Sequence, residues 1–276
     1  MAITNFIPEI WNSQMLVDFR EQARAAAVVN RQYEGDARVG NTVKITSAVN
    51  VAIKDYALAN RTTSADEVDD TGQDLLIDQE KNFDFYVDDI DRRQAAGTMD
   101  AYTQSAGEGL AEDADEYILT TAEAGATTTL DGAGSAPANG DEAFDVLRDL
   151  RRELNKLSVP LNQRVAFVNA EFAHLLVGAD SKLTDASVSG DTEGLRRATL
   201  GSILGFDIIE SENLPVTDDP QVVAFYRPSV AFVSQIMDTE ALRAEDKFAD
   251  RLRGLHVYGC RVIRPNGVAT WNVGTA

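Results

Sequence analysis

The chain has one cysteine and two histidines in 276 residues. Cys260 alone cannot form an intrachain disulfide, and no Cys-x-x-Cys pair exists to hold zinc. His174 and His256 leave little room for imidazole catalysis, and no Gly-x-Ser-x-Gly turn presents a nucleophilic serine. Bases are scarce too: 25 Lys plus Arg stand against 45 Asp plus Glu, a formal net charge of −20. A conventional nucleic-acid-binding module needs a basic patch that displaces counterions from phosphates, and an anionic membrane would repel this chain. No apolar run approaches the ~18–20 residues that span a bilayer. The opening Met1–Pro8 lacks the basic, apolar, small-residue order of a signal peptide. Together these absences imply a soluble protein made in a reducing cytoplasm.

What is present is ordinary for a globular protein, at 44% hydrophobic and 25% charged. A chain of this length buries roughly three-quarters of its unfolded surface, enough for a large core. Residues 9–30 read as an amphipathic helix opened by Pro8, with Ile10, Leu16, Phe19 and Ala23 near helical spacing. It stops around Tyr33–Asp36 and has no partner nearby in sequence, as an arm that docks elsewhere would. Val39, Val43 and Ile45 then alternate with polar residues as in a strand. Residues 60–74 are polar and acidic, an exposed tip. Beyond it Leu75, Ile77, Phe83, Phe85 and Val87 occupy odd positions while Asp78, Glu80, Asn82, Asp84 and Asp88 occupy even ones. This predicts one long half-buried strand with an acidic outer face. Two such strands make a protruding hairpin over 37–91, and an isolated hairpin needs another surface to rest on.

Helical periodicity returns from Arg92 to about Ala124, with Ala96, Met99, Ala106, Leu110, Ala114, Tyr117 and Ile118 on one stripe. Gly97, Gly107 and Gly109 within it mark a bend or a close contact. Residues 125–140 form a small-residue linker, followed by a helix capped near Asn139 or Asp141 with Leu147, Leu150, Leu154 and Leu157 facing inward. After Pro160 short elements alternate: strands at 164–169, 203–210, 222–226 and 230–236, and helices at 170–177 and 192–198. A longer strand over 251–264 is broken at Gly254 and Gly259, and 268–273 closes the chain. No repeat of fixed period occurs. The fold class is α+β.

Candidate chemistry is thin. Gly35 to Thr42 has P-loop glycine spacing, but Asn41 stands where the phosphate-binding lysine belongs, and a strand follows where that motif requires a helix. Glu67, Asp69, Thr71, Gly72 and Asp78 partly match an EF-hand ligand order, yet no helices flank them, and a solvated acidic loop is the better reading. His174, beside Phe172 and Leu175, and His256, between Leu255 and Val257, read as packed structural histidines. Cys260 reads as a small buried hydrophobe. No catalytic, cofactor-binding or metal residue is assigned. The arginines Arg148, Arg151, Arg152, Arg196, Arg197, Arg251, Arg253, Arg261 and Arg264 are the local positive patches. They favour pairing with acids of a neighbouring subunit, because arginine is enriched at interfaces.

The order of parts resembles a tailed-bacteriophage major capsid protein of the Hong Kong 97 (HK97) type. Three stretches carry the resemblance: Phe6–Trp11 with Asn30–Gly35, Gly201–Pro215 with its Ser-x-x-Leu-Pro turn, and Phe248–Tyr258 with Arg261–Pro265 and Trp271. The resemblance implies an N-terminal arm (1–36) and an extended loop (37–91). It implies a peripheral domain with a long spine helix (92–160 and 227–258) and an axial domain (161–226 and 259–276). It further implies hexamers and pentamers in an icosahedral head enclosing double-stranded DNA, and assembly in the host bacterial cytoplasm. Because the chain opens at the arm, a separate scaffolding protein is the implied helper. A portal and a decoration protein are further partners of that family. Lys54 and Lys81 match no cross-linking role, and no cross-link is expected. The alternatives are another phage structural subunit, of tail or fibre, and an acidic metal-dependent hydrolase.

Overall fold

A computed structural model describes residues 23–35, 40–48, 53–55, 61, 63, 70–88, 100–178, 201–216, 218–244 and 246–274. The expected arm helix falls mostly outside them; its described end is a short helix α1 (Ala25–Val28), followed by a 3₁₀ turn at Gln32–Gly35. The expected helix at 192–198 also lies outside the described residues.

Three sheets form among the described residues. In the first, β1 (Thr42–Ala48) pairs antiparallel with β2 (Asp70–Leu76). The second has the order β3 (Gln79–Asp88), β10 (Ala249–Val262), β9 (Val230–Arg243), all antiparallel. The third is mixed, in the order β4 (Thr128–Asp131), β11 (Val268–Asn272), β8 (Val222–Tyr226), β5 (Arg164–Val168), β7 (Phe206–Glu210), β6 (Ser202–Ile203). Here β4 runs parallel to β11 and β5 to β7.

The alternation read over 75–88 is correct, but the single long strand is two. Leu75 is fully buried beside exposed Leu76, and β3 alternates half-buried with exposed to Tyr86. At Ile77–Asp78 the chain changes partner, leaving β1 for β10. A switch of partner that preserves the alternation leaves no mark in the sequence. Glycines 254 and 259 do not break β10; its one register shift lies between Val257 and Tyr258. They are points of close approach. A Cβ on Gly254 would meet the Phe83 ring at 2.3 Å, and one on Gly259 would lie 2.2 Å from the Leu76 carbonyl oxygen. The linker expected at 125–140 contains β4. Between β6 and β7, Leu204 and Gly205 both take positive φ (52° and 83°), the two-residue hairpin turn that matches strand twist.

Helix α2 (Asp100–Ala124) and helix α3 (Gly140–Lys156) cover the third sheet from opposite sides. Strand β5 shows how: Val165 and Phe167 join α2's Ala114, Ile118 and Leu119, while Ala166 and Val168 face α3's Leu147, Leu150 and Leu154. Each fully buried leucine contributes roughly 1.5–3 kcal/mol by leaving water. α3 begins at Asn139, whose side chain accepts the Glu142 amide at 2.9 Å, and Glu142 accepts the Ala138 amide in return. Leu157, expected inside, is the C-cap and 37% exposed, because the helix has ended before its turn faces the core. Helix α4 (Ala170–Val177) adds Phe172 and Leu176 to the α3 side. The hairpin β1–β2 rests on the second sheet, with Val43, Ile45, Leu75 and Ile77 against Val233, Val257 and Ile263. The apolar face of the hairpin therefore does rest on another surface, and that surface lies within its own chain.

Candidate functional site

The motifs singled out for chemistry do not assemble into a catalytic site. Gly40 has φ +110° and β1 follows at Thr42, where a phosphate-binding loop would lead into a helix. Thr71 and Gly72 lie in β2, an extended geometry that cannot wrap a cation, and Glu67 and Asp69 lie outside the described residues. Among the described residues no three His, Cys, Asp or Glu side chains gather as a metal site. Nor is any described helix long and apolar enough to cross a membrane.

His174 departs from expectation: it is exposed in the last turn of α4. His256 is packed as expected, 3% exposed, its Nε2 3.0 Å from Ser234 Oγ and its ring 4.8 Å from that of Tyr258. Burial holds its pKa below the ordinary 6.5, against the opposing pull of Asp113. Cys260 is buried, and burial alone pushes its thiol up to about 12.

Beside His256 lies a polar joint that the sequence pattern does not reveal. Asp113 of α2 accepts the Tyr258 hydroxyl of β10 at 2.5 Å and the Lys81 ammonium of β3 at 2.9 Å. Burial, then the bond to Asp113, raises the Tyr258 hydroxyl pKa. A few residues on, Tyr117 donates to Asp78 at 3.3 Å. Helix α2 is thereby fastened to the second sheet by charge-assisted hydrogen bonds as well as by packing.

The remaining candidate is a surface. In register across the second sheet, Tyr86, Arg251 and Leu242 form one row, Asp84, Arg253 and Glu240 the next, and Asn82, Leu255 and Asp238 a third. Arg251 grips Asp84 with two nitrogens, holding that carboxyl below its usual range, and Arg253 pairs with Glu240 at 2.6 Å. Lys247 and Arg251 each lie 5.6 Å from the Tyr86 ring centre. A groove of about 560 Å³ runs between these rows. Leu255, 40% exposed, lines it, and Tyr86 (54%) and Leu242 (41%) stand in solvent in the neighbouring row.

Several of the arginines read as facing a neighbouring subunit have partners within the chain: Arg148 pairs with Asp145 and Arg152 with Asp149 along α3, Arg251 and Arg253 pair across strands, and Arg261 donates to the Asp74 carbonyl at 2.5 Å. Arg196 and Arg197 lie outside the described residues.

Comparison with known proteins agrees with the architecture. A family model described as phage capsid protein matches residues 75–271. The chain is similar to a solved structure from Mycobacterium phage Che8, at 49% identity, with 100% of each chain covered and a TM-score of 0.90. It shares its fold with a capsid structure of cyanophage P-SCSP1u, at 13% identity, covering 100% of this chain and 95% of that one, TM-score 0.83. The same holds for the mature capsid of bacteriophage PhiM1, at 15% identity, covering 96% and 91%, TM-score 0.75. No curated protein sequence matches. A chain matched by that family along most of its length, with the same fold end to end, belongs to the phage capsid proteins: it is a major capsid protein of the HK97-like fold, a structural component of the virion.

Proposed function

We propose that this subunit joins copies of itself as hexamers and pentamers that close an icosahedral head around double-stranded DNA. In this reading residues 1–36 are the arm and 37–91 the extended loop. The peripheral domain takes 92–160 and 227–258, and the axial domain takes 161–226 and 259–276. A separate scaffolding protein and a portal assist assembly in the host bacterial cytoplasm, and a decoration protein is a candidate outer partner. The net charge of −20 suits a wall that confines DNA mechanically while repelling it.

One observation carries the reading. Large apolar side chains left in water concentrate on the extended loop and the second sheet, from Ile53 (99% exposed) and Leu76 (52%) to Phe248 (80%). Monomers rarely expose such groups together, whereas subunits that cover one another by symmetry do.

The strand register defines a clean test. Ala48 faces Asp70 at the end of the hairpin, so residues 49–69 can be replaced by Asn-Gly, a two-residue turn, without disturbing β1, β2 or β3. The expected product is folded by circular dichroism and forms no shells under negative-stain microscopy. Intact shells from this variant would overturn the assigned role of the loop.

A further inference from the structure

Asp115, on α2, is 1% exposed, yet it carries a carboxylate. Its oxygens accept three consecutive main-chain amides from ninety residues upstream: Arg24, Ala25 at 2.7 Å and Ala26 at 3.0 Å. These are among the first amides of α1, which have no partner within their own helix. Helix α1 supplies no side-chain cap of its own, since Arg24 stands at its N-cap position and makes no capping bond. The anchored segment is fixed again downstream. Ala25 (0% exposed) and Val29 (6%) enter the core beside Ala114 and Ile118, and Asn30 bridges β9 through its amide to Val230 and its carbonyl to Phe232.

We propose that Asp115 is an anchor for residues 24–35, a cap lent by the spine helix that fixes where the N-terminal segment leaves the body. Without it α1, a single turn, has too few internal hydrogen bonds to hold itself. The backbone would then pivot at Asn30, its next fixed point. One buried side chain of α2 therefore helps fix where the chain meets the body at Arg24.

Burial raises the Asp115 carboxyl above the ordinary 3.8 despite the three amide bonds.

The test is residue-resolved hydrogen exchange on the full chain with Asp115→Asn, which keeps the shape but sets an amide donor against the main-chain donors. Exchange at Arg24, Ala25 and Ala26 should quicken at least tenfold, while Asn30, bonded to Val230, and the amides of Leu147 to Leu154 stay as in the parent. Unchanged protection at 24–26 overturns the proposal, and so does loss spread evenly over α2 and α3, which would make Asp115 a general core residue. Should that variant fail to fold, Asp115→Glu, which keeps the charge but moves its oxygens by one methylene, is measured in the same way. Exchange at 24–26 must then quicken ahead of α3; quickening only with global unfolding overturns the proposal.

Discussion

Replacing Gly259 with alanine tests how the β2–β3 junction is seated against β10. The new Cβ would lie 2.2 Å from the Leu76 carbonyl oxygen, 2.9 Å from Ile77 Cα and 3.0 Å from the Leu76 carbonyl carbon. All three are main-chain atoms, so no change of rotamer relieves the collision. Ordinary contact lies near 3.5 Å, so the junction between β2 and β3 must retreat by about 1 Å. That movement pulls Leu75 and Ile77 away from Val257 and Ile263, adding lost burial to the strain. Overpacking of this kind costs about 1–3 kcal/mol, and the stiffness of backbone places this site toward the upper end. At about 2–4 °C per kcal/mol for a chain of this size, the melting temperature should fall by roughly 5–10 °C. Thermal unfolding of unassembled subunits, with hydrogen exchange at 75–79, measures both consequences. Gly107→Ala is the control: nothing lies within 4 Å of its Cβ, and within α2 it should stabilise by about 1 kcal/mol. A Gly259→Ala protein that melts with the parent and keeps its exchange at 75–79 would refute the reasoning.

Three further expectations follow from the polar joint and its surroundings. His256 is buried neutral, so the unfolded chain takes up its proton near pH 6.5 while the native chain resists; stability is full above 6.5 and falls as pH drops below it. Urea midpoints between pH 8 and pH 5 should show this decline, and His256→Gln should flatten it. Tyr258→Phe removes a hydroxyl donated to a carboxylate and should cost about 1.5–3 kcal/mol in urea unfolding, with faster exchange in α2 around Asp113. Cys260, with its thiol pushed up to about 12, should ignore a thiol reagent at pH 8 in the native protein and react once per chain in denaturant.

Where one face of an element meets water, the sequence was readable. The alternation from Leu75 to Val87 and the leucine stripe of α3 record which side each residue turns, because burial selects residue type position by position. The Asn139 cap was readable because its chemistry is local, confined to four residues. What escaped was non-local. The exchange of β1 for β10 at Ile77 does not alter the alternation, and Thr128–Asp131 becomes a strand only because β11 arrives beside it. Glycines 254 and 259 looked like breaks because the sequence does not show the ring and the carbonyl that need their space. Asp113 and Asp115 sit two apart in a helix rich in acids, and nothing local sets them off from Glu112 or Glu116. The order of helices and strands among the described residues, by contrast, was largely legible, and the family it pointed to is the one the chain belongs to.

The strand order of the six-stranded sheet has a consequence for how the subunit is made. β11, last in chain order, is inserted between β4 and β8, and β4 has no other partner in that sheet. A chain still emerging from the ribosome therefore holds an unpaired β4 and an open β8 edge until residues 268–272 appear. Closing contacts this distant in sequence is slow, and open edges invite stray pairing meanwhile. A polypeptide truncated before Val268 would lack the strand that joins β4 to β8 and could not complete this sheet.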